Sequence, residues 1–111
     1  MLKNISNNKI ISKKIKICKN SFCKAIGLMF SKKDEELCLI FIFNKEQIIP
    51  LHMFFVFYPI DVIFLNKNKV VVEIKKDFKP WSFYNPKNKA MYVIEMTNKN
   101  KDIKLNDKLS W

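Results

Sequence analysis

The chain alternates between long apolar runs and short polar clusters, and the run lengths suit strands better than helices. Leu37 to Phe43 is a continuous apolar run ending at Asn44-Lys45. Ile48 to Leu65 is longer, interrupted only by Pro50, His52, Pro59 and Asp61. Its length invites a transmembrane reading, but two prolines, a histidine and an aspartate speak against one, as do the β-branched and aromatic residues that favour sheets. The pattern predicts two buried strands, about Ile48 to Val56 and Ile60 to Leu65, parted at Tyr58-Pro59. The cluster Asn66-Lys67-Asn68-Lys69 then leads into Val70 to Ile74. This is a β-hairpin signal, because asparagine tolerates left-handed backbone. Ala90 to Met96 predicts a further strand, closed by Asn98 to Asn100, and Lys108 to Trp111 a short last one.

The N-terminal third reads differently. Between Lys9 and Ile17, isoleucines at positions 11, 15 and 17 alternate with lysines, which suits a half-exposed edge strand. Ser21 is placed to cap a short helix through about Leu28, with Phe22, Ala25, Ile26 and Met29 at helical spacing and Gly27 near its end. Residues 1–8 read as a flexible lead-in and 9–111 as a single β-rich domain, since 111 residues suffice for one core and not for two.

Composition changes this picture in one respect. The net charge is +11, which ordinarily points to nucleic acid or an anionic surface. Every basic residue is lysine, however, and Asn, Ile and Phe are abundant, the residues that AT-rich codons favour. The planar fork that reads guanine and phosphate is absent, and the lysines are scattered from Lys3 to Lys108. A nucleic-acid partner is therefore possible but not favoured. No membrane partner is expected.

Cys18, Cys23 and Cys38 cannot pair completely, and the first fifteen residues lack the apolar core of a secretory leader. A reducing, cytoplasmic setting is the expectation. With His52 the cysteines would add up to a Cys3His set, but their spacings match no compact zinc knuckle, and Cys38 lies within an apolar run. Neither a metal nor a cofactor is expected.

Two features carry candidate chemistry. Asp61, flanked by Ile60, Val62 and Ile63, needs partners if ionised, and the ordinary solution is backbone N–H groups of a neighbouring turn. His52, the sole histidine, lies on the same apolar stretch. The loop Phe78 to Pro86 holds two prolines and four aromatics, so it must be pinned against something, as core or as the wall of a groove. No GxSxG elbow and no glycine-rich phosphate loop is present.

These residues also resemble a known family. Gly27-Leu28-Met29-Phe30, then Ile40 to Phe43, His52 to Leu65, Lys79-Pro80-Trp81 and Tyr92-Val93-Ile94-Glu95 fall in the order of domain-of-unknown-function family 192, most closely its archaeal branch. The resemblance covers about Cys18 to Trp111. It implies a mainly β fold, a two-sheet sandwich or partly open β-barrel with one short N-terminal helix, and no established activity. Many bacterial relatives have tryptophan at the position of His52, and Asn and Thr at those of Phe55 and Val56. Lys24 and Lys32 stand where arginines are usual, and Asn98 and Asn106 where glycine is.

The resulting expectation is a non-catalytic binding module for a small molecule or protein partner, with a candidate ligand pocket of His52, Asp61, Lys79, Trp81 and Tyr84. An enzyme using Asp61 and His52 as an acid–base pair is the first alternative, and single-strand nucleic-acid binding through lysines and exposed aromatics the second.

Overall fold

The computed structural model describes residues 1–19, 36–53, 55–97 and 102–111. Ten strands run along them: β1 (Leu2–Asn4), β2 (Lys9–Ser12), β3 (Lys14–Cys18), β4 (Leu37–Gln47), β5 (Leu51–His52), β6 (Ile60–Leu65), β7 (Val71–Phe78), β8 (Phe83–Tyr84), β9 (Ala90–Met96) and β10 (Leu109–Ser110). No helix occurs among the described residues, and the helix expected over Ser21 to Leu28 lies outside them.

Among the described residues the strands form three sheets, and none closes into a barrel. The largest has the order β3-β4-β9-β6-β7, a second the order β10-β1-β2, and a third pairs β5 with β8. In the large sheet only β3 and β4 are parallel. A parallel pair needs a crossover rather than a hairpin, which is why a long segment separates Cys18 from Leu37.

Side-chain alternation then divides the interior in two. Leu39, Phe41, Val62, Phe64 and Val93 point to one face of the large sheet, where Met53, Val56 and Tyr58 cover them. Cys38, Ile40, Ile63, Leu65, Ile94 and Met96 point to the other, where Leu2, Ile11 and Leu109 of the small sheet close over them. All six residues of β6 are buried. A strand covered on both faces loses the polar alternation of a half-exposed one, which explains the unbroken apolar run in its sequence.

Ile60 to Leu65 and Ala90 to Met96 form strands over the expected spans. The hairpin also forms: Lys69 N–H donates to Asn66 O (2.9 Å) and Asn66 N–H to Val70 O (3.0 Å). Lys69 takes the left-handed position of the turn (φ 61°). The expected edge strand from Lys9 to Ile17 splits instead into β2 and β3. Ser12 Oγ holds the chain there: its one hydroxyl hydrogen reaches the nearer carbonyl, Glu36 O at 2.6 Å, and the oxygen accepts from Lys14 N–H at 3.2 Å.

The first eight residues, read from the sequence as a flexible lead-in, hold the middle strand of the small sheet. Leu2 is fully buried. Asn4 Nδ2 donates to Asp102 O and Asp107 Oδ2, both at 2.8 Å, and its Oδ1 accepts from Ser6 N–H at 3.0 Å. One amide thus ties the start of the chain to its end. The expected strand Ile48 to Val56 shrinks to Leu51–His52, because the segment lies across the face of the large sheet as a cover instead of pairing along it.

Asp61 explains an irregularity in β7. Ile60 pairs with Phe78 and Val62 with Lys75, so Lys76 and Asp77 together stand opposite Asp61 alone, which is a β-bulge. Asp77 takes positive φ (52°), and its N–H donates to Asp61 Oδ1 at 2.9 Å. The carboxylate fills the place of the ladder partner that the bulge removes. Asp61→Ala is therefore expected to cost about 1–3 kcal/mol in urea unfolding. Asp61→Asn, whose amide oxygen accepts the same bond, should cost under about half of that.

Candidate functional site

The β5–β8 pair organises the loop rich in aromatics. Leu51 pairs with Tyr84 and His52 with Phe83. Beyond the pair, Met53 N–H donates to Ser82 O and Trp81 N–H to Met53 O, both at 2.8 Å. Pro80 fixes one corner of the turn, and Ser82 Oγ closes it on Lys79 O at 2.5 Å. Trp81 follows the proline with φ 62°, at the turn position that glycine ordinarily fills.

Backbone geometry here presents rings to solvent. Trp81 is 50% exposed and sits edge-on to Phe55 (5.0 Å between centroids) and Phe57 (6.1 Å). Phe57 is 63% exposed and Phe83 68%. Phe55 also takes positive φ (60°). Left-handed backbone costs a bulky residue about 1–2 kcal/mol, so two members of one ring cluster are held in strained conformations while facing water. His52 is exposed beside Phe83.

The five residues singled out from the sequence divide between this rim and the interior. His52 and Trp81 belong to the rim. Lys79 is exposed and bridges to Asp77 Oδ2 at 2.6 Å, which places it next to the bulge. Asp61 is buried with its Oδ1 on the bulge. Tyr84 turns inward, against Phe64 and Phe78, with Lys75 Nζ 5.5 Å above its ring. Its hydroxyl donates to Glu73 Oε2. Burial, helped by the bond to Glu73 and its charge, raises the phenol to about 12, so Tyr84 stays protonated across the physiological range.

Two carboxylates that the sequence reading passed over matter more than expected. Glu73 is buried in β7, which acts to raise its pKa. Hydrogen bonds from Tyr84 Oη, Asn88 Nδ2 and the N–H groups of Asn88 and Lys87 outweigh that and leave it lowered. It is a fully occupied acceptor that holds the loop after β8 onto the sheet. Glu95 lies in β9 between Leu39 of β4 and Val62 of β6. It is 8% exposed, and burial alone raises its carboxyl to about 7. Val93-Ile94-Glu95-Met96 carried the same signal as Ile60-Asp61-Val62, an acid among apolar strand residues.

Among the described residues Cys18, Cys38 and His52 do not group into a metal-binding set. Cys18 is disulfide-bonded, so the expectation of reduced thiols fails for it. Cys38 is a free buried thiol, raised by burial and lowered in part by the Ser12 hydroxyl. Cys23 lies outside the described residues. Among the described residues no three His, Cys, Asp or Glu side chains group closely enough to hold a metal ion, and no helix is long and apolar enough to cross a membrane.

Comparison with known proteins agrees with this architecture. The model of family DUF192, described as an uncharacterised ACR, matches residues 2–111. A UPF0127 protein of Thermococcus sibiricus is 38% identical over 97 residues, 86% of this chain and 62% of that protein's length. A UPF0127 protein of Pyrococcus furiosus is 35% identical over 113 residues, covering 97% of this chain and 95% of its own. In three dimensions, a protein of unknown function from Novosphingobium aromaticivorans superposes with a TM-score of 0.84 at 22% identity, over 99% of this chain and 81% of that one. The chain belongs to the DUF192 family.

Glu95 generates a prediction with a definite sign. Its folded-state value of about 7 stands above the ordinary 4.5. Between those two pH values the unfolded chain ionises while the folded one keeps its proton, so stability is full below 4.5, falls as pH rises to 7 and is level above. The interval corresponds to a loss on the order of 3 kcal/mol. Glu95→Gln should abolish that slope, unfolding later than the parent at pH 8 and at nearly the same urea concentration at pH 4.

Proposed function

We propose that this DUF192 member is a non-catalytic binding module whose contact surface is the aromatic rim of Phe55, Phe57, Trp81 and Phe83, with His52 at its edge. One observation supports it above the others. Phe55 and Trp81 adopt backbone conformations that disfavour bulky residues, and both remain partly exposed, at 39% and 50%. A chain selected for stability alone would place glycine or asparagine there. The rim offers a small molecule or a protein partner an apolar or aromatic surface at one end of the sheet, while Tyr84 and Glu73 fix the floor beneath.

The enzyme reading through Asp61 and His52 has less support, because one Asp61 oxygen already serves the bulge in β7. Single-strand nucleic-acid binding gains some support from the exposure of Phe83 and Trp81 together with the charge of +11, since bases stack on such rings and phosphates attract lysine. It predicts retention on a short oligothymidylate that weakens steeply with salt.

Trp81→Gly separates surface from scaffold. Removing the side chain relieves the positive φ and loses two edge contacts worth about 0.5–1.5 kcal/mol each, so stability should change by no more than about 1–2 kcal/mol. A thermal-shift screen of metabolites on parent and variant in parallel should then yield compounds that stabilise the parent alone. Compounds that stabilise both equally would place the binding surface elsewhere.

A further inference from the structure

Four of the large apolar side chains that remain exposed, Phe55, Phe57, Trp81 and Phe83, gather on the segments that strap the large sheet. Three of their rings form a knob and not a platform. Phe55 and Phe57 both stand edge-on to Trp81, with interplanar angles of 68° and 70°. Rings crossed in this way interlock and present no row of parallel faces for successive bases to stack on. The turn that carries Trp81 is also fixed. Met53 bonds it from both sides, through its N–H to Ser82 O and its carbonyl to Trp81 N–H, both at 2.8 Å. The knob therefore needs little ordering when it meets a partner.

Charge selects among the partners that could cover it. The chain has 21 basic residues, all lysine, against 10 acidic ones, a net charge of +11. Two copies repel each other at that charge, so a second copy is a poor occupant. A protein surface is a poor one too, because contacts between proteins enrich arginine beside aromatics and deplete lysine. A bilayer interface has the opposite preference. Trp and Phe settle at the level of the headgroups, and lysines act on anionic lipids as point charges that need no planar fork. At the end of β7 next to the rim, Lys76 and Lys79 are exposed, and Lys79 O closes the Trp81 turn. They outnumber Asp77, which bridges to Lys79, while Asp61 is buried behind the bulge.

We propose that the rim docks this protein on a lipid bilayer bearing anionic headgroups, with the Trp81 turn entering the headgroup region and lysines held against the lipid phosphates. The inference rests on the rim being the contact surface and names its partner. A membrane partner, not expected from the apolar pattern of the chain, enters here through surface rings. Contact of this kind needs no spanning segment, since rings that reach about 5–10 Å into the boundary lie within one leaflet. The two contributions have separate signatures. Exposed charges are screened beyond about 8 Å at physiological salt, whereas burial of rings is not weakened by salt.

The experiment uses full-length protein carrying Trp111→Phe, which leaves Trp81 as the single indole. The probes are unilamellar vesicles of phosphatidylcholine, alone or with about one-third phosphatidylserine, and a short oligothymidylate. With the serine lipid, Trp81 emission is expected to move to shorter wavelength and to be quenched by brominated acyl chains. In co-sedimentation at physiological salt, Phe83→Ser should weaken binding at least about tenfold, and Lys76→Gln about fivefold. Vesicles of the choline lipid alone should bind at least about tenfold more weakly.

Co-sedimentation of the parent and Phe83→Ser to the same extent, with Trp81 emission unchanged, would overturn the proposal, because charge alone would then hold the protein. No sedimentation of the parent on anionic vesicles would overturn it as well. So would a Trp81 response to the oligothymidylate and not to vesicles, which would give the rim to nucleic acid. Should Trp111→Phe fail to fold, sedimentation of the parent against Phe83→Ser decides the matter. If vesicles fail while the metabolite screen still separates the parent from Trp81→Gly, the bilayer is struck and the rim stands. If both fail, the rim falls with it.

Discussion

Burial of β6 on both faces is the constraint from which the rest of the architecture follows. A strand whose six residues are all removed from water needs a covering layer on each side of its sheet. The small sheet supplies one, and the cross-lying segment around Met53, Val56 and Tyr58 supplies the other. The two layers are built differently. One is a regular sheet tied to the C-terminal region through Asn4, whereas the other is an irregular strap fastened by the β5–β8 pair and two further main-chain bonds. Irregular cover leaves some of its side chains pointing away from the core. The rim of exposed rings lies there, and not on the small sheet.

Much of the strand order was legible because buried strands announce themselves as apolar runs. Ile60 to Leu65 and Ala90 to Met96 needed only that signal. The segment from Ile48 to Val56 carries the same signal and forms little strand, since hydrophobicity reports burial and not pairing. Met53 and Val56 are buried as plugs, while Phe55 and Phe57 within the same run are exposed. The split between β2 and β3 was hidden for another reason. It depends on one serine hydroxyl bonding the Glu36 carbonyl, 24 residues away and just before β4, and no local pattern encodes that partner.

The site was half legible. That Asp61 would be answered by backbone N–H groups followed from the cost of burying a carboxylate, and the bulge at Asp77 is where the answer comes from. Which sequence-distant residues would share a face with it was not readable, because the bulge shifts the register of β7. Trp81 and Tyr84, three residues apart in one loop, show the same limit. The turn after Pro80 sends one ring to solvent and the other onto Phe64 and Phe78.

Asp61, Glu73 and Glu95 make an internal comparison. All three are carboxylates on apolar strands of the same sheet, and all are buried to within 8%. Asp61 receives a bulge N–H, and Glu73 receives a phenol, an amide and two N–H groups. The fold therefore has the means to satisfy a carboxylate at its strand edges, where bulges and loops bring unpaired donors within reach. Glu95 lies on β9, where the pairing with Leu39 of β4 and Val62 of β6 runs without a bulge, so its row lacks the irregularity that gives Asp61 its donor. A glutamate in that position destabilises the molecule wherever it is ionised, and glutamine or leucine would not. Well-adapted sequences agree with their folds at every level except where function demands otherwise. By that criterion the left-handed backbone of Phe55 and Trp81 is what the proposal for the rim accounts for.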